Sequence, residues 1–210
     1  MSKDTKLHIL ILATLSFLIS IAYMPAQFYA GDSYAIKLIS NNLIDNGDIG
    51  IDYSKRESLT DFLTNKDQYF FENDNEQKFY QRWGVLNPIF FAIPDILSTT
   101  PLGLDISKEQ IKRHGIFNAF LSSVLVVTIF LICGIFSKSN IHNSIYCLIA
   151  VYGSFIWHYT LAQSYEIIQL VLFNLALLFI FKYKISKKRN NRIAFNLVLV
   201  LLIFTKSVYF

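Results

Sequence analysis

The chain has 210 residues, carries a net charge of +4, and is 53% hydrophobic but only 16% charged. Soluble domains average roughly 25% charged residues, and here the apolar residues are also gathered into runs long enough to cross a membrane. Composition and patterning together exclude a water-soluble enzyme, a nucleic-acid-binding domain and a disulfide-stapled secreted module.

Five apolar runs predict membrane-spanning helices. In chain order they cover Leu7–Met24, Gly115–Phe136, Ser144–Leu161, Tyr165–Tyr183, and the stretch from Ile193 to Phe210. The first is interpreted as an uncleaved helix, because it exceeds the ~7–15 apolar residues of a signal peptide and no small-x-small cleavage site follows it. The predicted fold class is all-α, a polytopic transmembrane helical bundle. Residues 1–24 form its first helix, 25–114 a large, partly helical first external loop, and 115–210 helices two to five.

Basic residues predict the orientation of these spans. A short cluster separates the fourth and fifth spans and consists of Lys182, Lys184, Lys187, Lys188, Arg189 and Arg192. Such clusters mark the cytoplasmic side of a membrane. Counting spans backwards places residues 25–114 outside the cell or inner membrane and the N-terminus in the cytoplasm. A patch for nucleic acid or anionic lipid is the rival interpretation of the cluster. Topology alone accounts for it, so no nucleic-acid partner is predicted.

The external loop holds every acidic residue except Asp4 and Glu166. After the first span, Ala35, Ile36, Ile39 and Leu43 fall within one helical stripe. Asp32 stands where an N-cap belongs, and Gly47 stands where a glycine ends a helix. We therefore predict a short amphipathic helix along the outer membrane surface, with Asp32 either a cap alone or also a base at the membrane face.

The rest of the loop contains two further segments. Residues 48–76 are acid-rich but match no calcium-loop spacing, so they predict a solvated loop without a metal ion. The apolar stretch Val85–Leu97 would be only about 20 Å long as a helix, and Pro88 and Pro94 interrupt it. It is too short to cross the bilayer and predicts a re-entrant or interfacial segment that docks against the spans.

The order of these features resembles a known family. A short N-terminus, one span, Gly31-Asp32-Ser33 with a short helix ending in Asn46-Gly47-Asp48, a segment from Trp83-Gly84 to Pro94, and a second span are similar to the N-terminal part of GT-C membrane glycosyltransferases. The likeness is to the protein mannosyltransferase and aminoarabinose transferase type. The stretch from Tyr152 to Tyr159, followed by Glu166, also looks like an external turn between later spans of such enzymes.

The resemblance implies transfer of a sugar from a polyprenyl-phosphate donor to a lipid or glycan acceptor on the extracytoplasmic side, without a cofactor. It makes Asp32 the general base for the acceptor. The family often has Asp-Glu at this position, whereas this chain has Asp32-Ser33, so the role of a second acid is not carried over. Members usually have eight or more spans, and we accordingly expect this chain to be an N-terminal fragment of such an enzyme.

Four further residues are candidates for substrate binding, and each has a plainer interpretation. Lys206 and Arg82 could bind the lipid phosphate, but a lysine in a span can snorkel to the interface and a loop arginine is often merely exposed. Glu166 could bind the acceptor or orient Asp32, although an acid at a helix start also suits the helix dipole. His158 lies at the outer end of the third span, where an aromatic belt explains it equally well.

Two other classes of function remain open. The first is a transporter or flippase subunit, but transport sites usually place ionisable residues or broken helices near the bilayer midplane. No acidic residue lies in the middle of a predicted span. The second is a non-catalytic membrane protein whose external loop binds a partner.

Overall fold

The computed structural model describes residues 2–24, 31–55, 70–82, 84–96, 102, 106–162 and 164–206. The described chain is mostly helical and divides into two compact units. The first unit combines Met1–Pro25 with Gly115–Ile203, and the second combines Ala26–His114 with Phe204–Phe210. The predicted external loop therefore forms a compact unit of its own together with the last residues of the chain.

Eight helices and three strands make up the described chain. In chain order the helices are α1 (Lys3–Ala22), α2 (Gly31–Asn46), α3 (Leu86–Ala92), α4 (Lys108–Phe136), α5 (Asn140–Tyr152), α6 (Phe155–Leu161), α7 (Glu166–Ser186) and α8 (Arg189–Thr205). The strands are β1 (Ile51–Asp52), β2 (Phe70–Asn73) and β3 (Lys78–Gln81). Single 3-10 turns cover Tyr53–Lys55 and Ile93–Asp95.

Among the described residues, three helices are long and apolar enough to cross a membrane, namely α1, α4 and α7. They coincide with the first, second and fourth predicted spans, so those apolar helices are confirmed. The third predicted span is not one continuous helix, because α5 and α6 are bent by 64° at Gly153 and Ser154. Ser154 Oγ accepts the N–H of Ile156 at 3.2 Å and thereby caps α6, which explains the break.

The predicted fifth span also differs from the observed helix. Helix α8 begins four residues earlier than predicted, at Arg189, and ends at Thr205 after 17 residues. At 1.5 Å per residue it is about 26 Å long, shorter than the ~30 Å hydrocarbon core of a bilayer. The end of the predicted span at Phe210 lies outside the described residues.

Short polar side chains join the helices of the first unit. Ser16 of α1 and Ser122 of α4 share a hydrogen bond of 3.2 Å, and Tyr152 Oη of α5 donates to Ser16 Oγ at 2.6 Å. Ser123 Oγ donates to the carbonyl of Ala13 at 3.0 Å. Small hydroxyl side chains let apolar helices approach closely and bond across the interface, as is typical of helix packing in membranes.

The second unit contains a sheet, so the prediction of an all-α fold is wrong in this part. Strands β1, β3 and β2 form an antiparallel sheet in that order. Its core-facing residues are Ile51, Phe70 and Phe79, which pack with Ala35, Leu38 and Ile39 of α2. Residues 70–76 lie in a hairpin where a solvated loop was predicted, because Phe70 and Phe79 give β2 and β3 a buried apolar side. Residues 56–69 of the predicted loop lie outside the described part of the chain.

Helix α2 ends where the sequence predicts. Gly47 has a φ of +70°, and its N–H donates to the carbonyl of Leu43 at 3.0 Å. The environment of the helix differs from the expected surface amphipathic helix. Every residue from Ala35 to Asn42 is buried, so α2 has no long solvated face within this unit. The reason is that α3 and strand β3 both pack against it.

Replacing Gly47 with alanine tests the turn after α2. Because the left-handed conformation costs a residue with a Cβ about 1–2 kcal/mol, Gly47→Ala should lower the melting temperature of the full chain in detergent. The space around Gly47 is open, so strain alone is measured.

Gly134→Ala is the matched control for this change. Gly134 lies inside α4, and an added Cβ would be in ordinary contact with Asn143 Nδ2 at 3.8 Å. Alanine is the better helix former by about 1 kcal/mol, so this variant should melt no lower than the wild type. A Gly47→Ala protein as stable as Gly134→Ala would contradict the account of the turn.

Candidate functional site

The five residues singled out in the sequence are divided between the two units. Asp32, Arg82 and Lys206 belong to the second unit, whereas His158 and Glu166 belong to the first. The candidate site therefore centres on the second unit, which contains the residue predicted to act as the base.

Asp32 lies in the first turn of α2 rather than before it, because the helix begins at Gly31. Its side chain is half-buried, and Oδ1 accepts the N–H of Ser33 at 2.9 Å. Burial raises the pKa of Asp32 above its ordinary value, and the bond from the Ser33 N–H partly opposes that shift. A carboxylate with a raised pKa is a stronger proton acceptor than an ordinary aspartate.

The strongest electrostatic feature of this unit was missed by the sequence analysis. Lys37 of α2 and Asp95 have fully buried side chains, and Lys37 Nζ donates to Asp95 Oδ2. Arg113 of α4, whose side chain is 33% exposed, donates from Nε to the other carboxylate oxygen, Oδ1. Two cations therefore share one buried anion. We call these three residues the Asp95 network.

The Asp95 network ties three separate segments together. Lys37 Nζ also donates to the carbonyl of Phe91 at 3.3 Å, so it bonds both ends of the short stretch Phe91–Asp95. Burial lowers the pKa of Lys37, while its bond to Asp95 favours the charged form and opposes that shift. A buried charge is tolerated when it is paired and hydrogen-bonded, as this lysine is.

Further polar residues of α2 make hydrogen bonds to other segments of the second unit. Asn41 Oδ1 accepts a bond of 3.1 Å from Gln110 Nε2 of α4. Asn42 Nδ2 donates to the carbonyls of Asp48 and Gly50 at 3.1 and 2.7 Å. Lys37 and Asn41 are one helical turn apart, so a single polar stripe of α2 faces the start of α4 and the stretch before it. This polar stripe fixes the rotation of α2 about its axis. It thereby also fixes the direction in which the Asp32 side chain projects from the first turn.

Arg82 and Lys206 have different environments. Arg82 is half-buried at the end of β3, and its Nε donates to the carbonyl of Phe70 at 3.2 Å. Lys206 is exposed in the bend after α8. Gly84 packs against this bend so closely that a Cβ would collide with the backbone of Phe204 and Lys206. Asn87 Nδ2 donates to the carbonyl of Thr205 at 3.0 Å and holds the same bend.

His158 and Glu166 lie in the first unit. His158 is exposed on α6, and its ring makes an edge contact with Tyr159 at 6.0 Å between centroids. Glu166 is half-buried at the start of α7, where its N–H donates to Ser164 Oγ at 3.4 Å. An acid in the first turn of α7 suits the helix dipole, which is the plainer interpretation of Glu166.

Metal ligands and known relatives give no further assignment. Among the described residues there is no group of three or more His, Cys, Asp or Glu side chains that could hold a metal ion. No family model, curated protein or solved structure matches the chain.

Asp95→Asn tests whether the network stabilises the second unit. The amide leaves Lys37 buried without its counter-ion, and removing one partner of a buried ion pair costs about 3–5 kcal/mol. We expect a large loss of thermal stability, or failure to accumulate, for the full chain in detergent.

Asp52→Asn is the control, because Asp52 is an exposed carboxylate on β1 of the same unit. Its loss should change stability by no more than about 0.5 kcal/mol. Equal melting temperatures for the two variants would show that Asp95 is not the ionised centre of a buried network.

Proposed function

We propose that this protein is an integral membrane glycosyltransferase that moves a sugar from a polyprenyl-phosphate donor to an acceptor on the extracytoplasmic side, with Asp32 as general base. The observation that supports this best is the position of Asp32. Its carboxylate is half-buried at the first turn of a helix whose interior is fixed by buried ion pairs. A base must be held in place and still reach its substrate, and this position meets both needs.

The membrane part of the proposal rests on the apolar helices. Helices α1, α4 and α7 would each cross the bilayer, and the bent pair α5–α6 would provide a further crossing. Helix α8, with 17 residues, would return the chain to the extracytoplasmic side, where Lys206 follows it. The basic residues between α7 and α8 are exposed and would face the cytoplasm by the positive-inside rule. With those crossings, residues 26–114 and Asp32 face the extracytoplasmic side, where lipid-linked sugars are used by enzymes of the type that the sequence resembles.

The proposed reaction is a displacement at the anomeric carbon of the donor sugar. Asp32 accepts a proton from a hydroxyl or amine of the acceptor, and that oxygen or nitrogen forms the new bond to the anomeric carbon. The bond from the anomeric carbon to the phosphate oxygen breaks, and the lipid phosphate leaves with the bonding electrons. Lys206, which is exposed, and Arg82 are the candidates for the cations that stabilise this leaving group.

Asp32→Asn should remove the activity while preserving the shape of the side chain. The assay uses the full chain in proteoliposomes with a panel of short-chain polyprenyl-phosphate pentoses and hexoses, and it measures released polyprenyl phosphate by mass spectrometry. General-base catalysis contributes about 100- to 10,000-fold, so the rate of Asp32→Asn should fall by that factor. Asp52→Asn, which removes an exposed acid from the same unit, should keep the wild-type rate. Undiminished transfer by Asp32→Asn would exclude it as the base.

The pH dependence of that rate gives a second test. Only the ionised carboxylate accepts a proton, so the rate should fall as the pH is lowered through the pKa of Asp32. Because burial raises this pKa, the acidic limb of kcat/KM should have its midpoint above the ordinary aspartate value of about 3.9. An acidic limb with a midpoint at or below the ordinary value would assign the titration to another group.

A further inference from the structure

The stretch Val85–Ile96 has an unusual distribution of polar and apolar side chains. It consists of α3 and the 3-10 turn that follows it, with one flanking residue at each end. Four aliphatic residues point outward at helical spacing: Val85, Ile89, Ile93 and Ile96 are 51%, 47%, 44% and 68% exposed. We call these four residues the aliphatic stripe.

The opposite side of the same stretch is buried and partly polar. Asn87 and Asp95 are 0% and 1% exposed, and both are hydrogen-bonded within the second unit. Helices at a protein–water boundary also bury apolar residues, as this stretch does with Phe91 and Ala92, but they expose polar residues rather than an aliphatic stripe. The stretch therefore buries hydrogen-bonded polar residues and exposes aliphatic ones, as is expected where a protein surface contacts lipid rather than water.

The charges at the start of α4 indicate which apolar partner fits. Lys108, Glu109 and Lys112, in the first turns of α4, are exposed, and Arg113 of the same turns bonds Asp95 at the end of the stretch. Arg113 is also the last charged residue before residues 114–136, which carry no Asp, Glu, Lys or Arg. Lysine and arginine side chains at the end of a membrane helix reach the level of the lipid headgroups, where phosphates can pair with them.

We infer that the aliphatic stripe lies in the hydrocarbon of a bilayer leaflet, with Lys108 and Lys112 at the level of anionic phospholipid headgroups. Phospholipid satisfies both parts of the surface, because its chains cover the stripe and its phosphates pair with the lysines. A second copy of the chain would cover the stripe but would bring no phosphate to pair with the lysines. The inference rests on the membrane part of the proposed function and is independent of Asp32.

Fluorescence quenching in nanodiscs tests this assignment. The full chain, with Cys133→Ala and Cys147→Ala as background, carries one bimane-labelled cysteine at Ile89, Ile93, Leu10 or Asn75. The discs contain phosphatidylcholine and phosphatidylglycerol, with or without doxyl groups on the acyl chains, and iodide is the aqueous quencher. Leu10 is 64% exposed on α1 and reports on a candidate span, whereas Asn75 lies in the exposed hairpin turn between β2 and β3.

Labels at Ile89 and Ile93 should lose fluorescence to doxyl lipid to the same extent as the label at Leu10, and should resist iodide. The label at Asn75 should show the reverse. Iodide quenching at Ile89 and Ile93 would overturn the inference in favour of a water-facing surface. Resistance to both quenchers would overturn it in favour of a protein partner or second copy. If Leu10 itself resists doxyl lipid, the membrane part of the proposed function fails as well, which separates the two outcomes.

Discussion

The second unit depends on a single carboxylate. Asp95 is buried, and it offers one oxygen to Lys37 and the other to Arg113, so residues from α2, from the turn after α3 and from α4 meet at one point. A buried charge without a partner is costly, and this cost makes other arrangements of the three segments unfavourable. Asp32 lies five residues before Lys37 on the same rigid helix, so the network that positions Lys37 also limits where the proposed base can be.

The same network explains why polar residues lie inside this unit and aliphatic residues outside it. Once Asp95 and Asn87 are committed to interior hydrogen bonds, the other side of the stretch is left with Val85, Ile89 and Ile93. In water that surface would be unfavourable, whereas next to lipid it is the expected one. The proposal that lipid surrounds part of the protein would account for three features together: the interior polar network, the outward aliphatic residues and the apolar helices α1, α4 and α7.

Features with a local cause could be predicted from the sequence, and features that depend on distant contacts could not. The apolar helices α1, α4 and α7 follow from composition, and the end of α2 follows from Gly47, which needs no partner to adopt a positive φ. The break at Ser154 also has a local cause, but a serine within an apolar run does not by itself predict a helix cap. Lys37 and Asp95 are 58 residues apart in the sequence, and a lone lysine in an apolar helix indicates that a counter-ion exists without identifying it. Strands β2 and β3 were missed because four-residue strands with one buried face resemble a polar loop.

The coupling between Lys37 and Asp95 tests the central claim most directly. A double-mutant cycle compares the melting temperatures and unfolding free energies of the wild type, Lys37→Met, Asp95→Asn and the variant with both changes. If the two residues form a buried pair, the double variant should be more stable than the sum of the single losses predicts, by about 0.5–3 kcal/mol. Strictly additive losses would show that Lys37 and Asp95 do not act on each other, and the account of how α2 is held would be wrong.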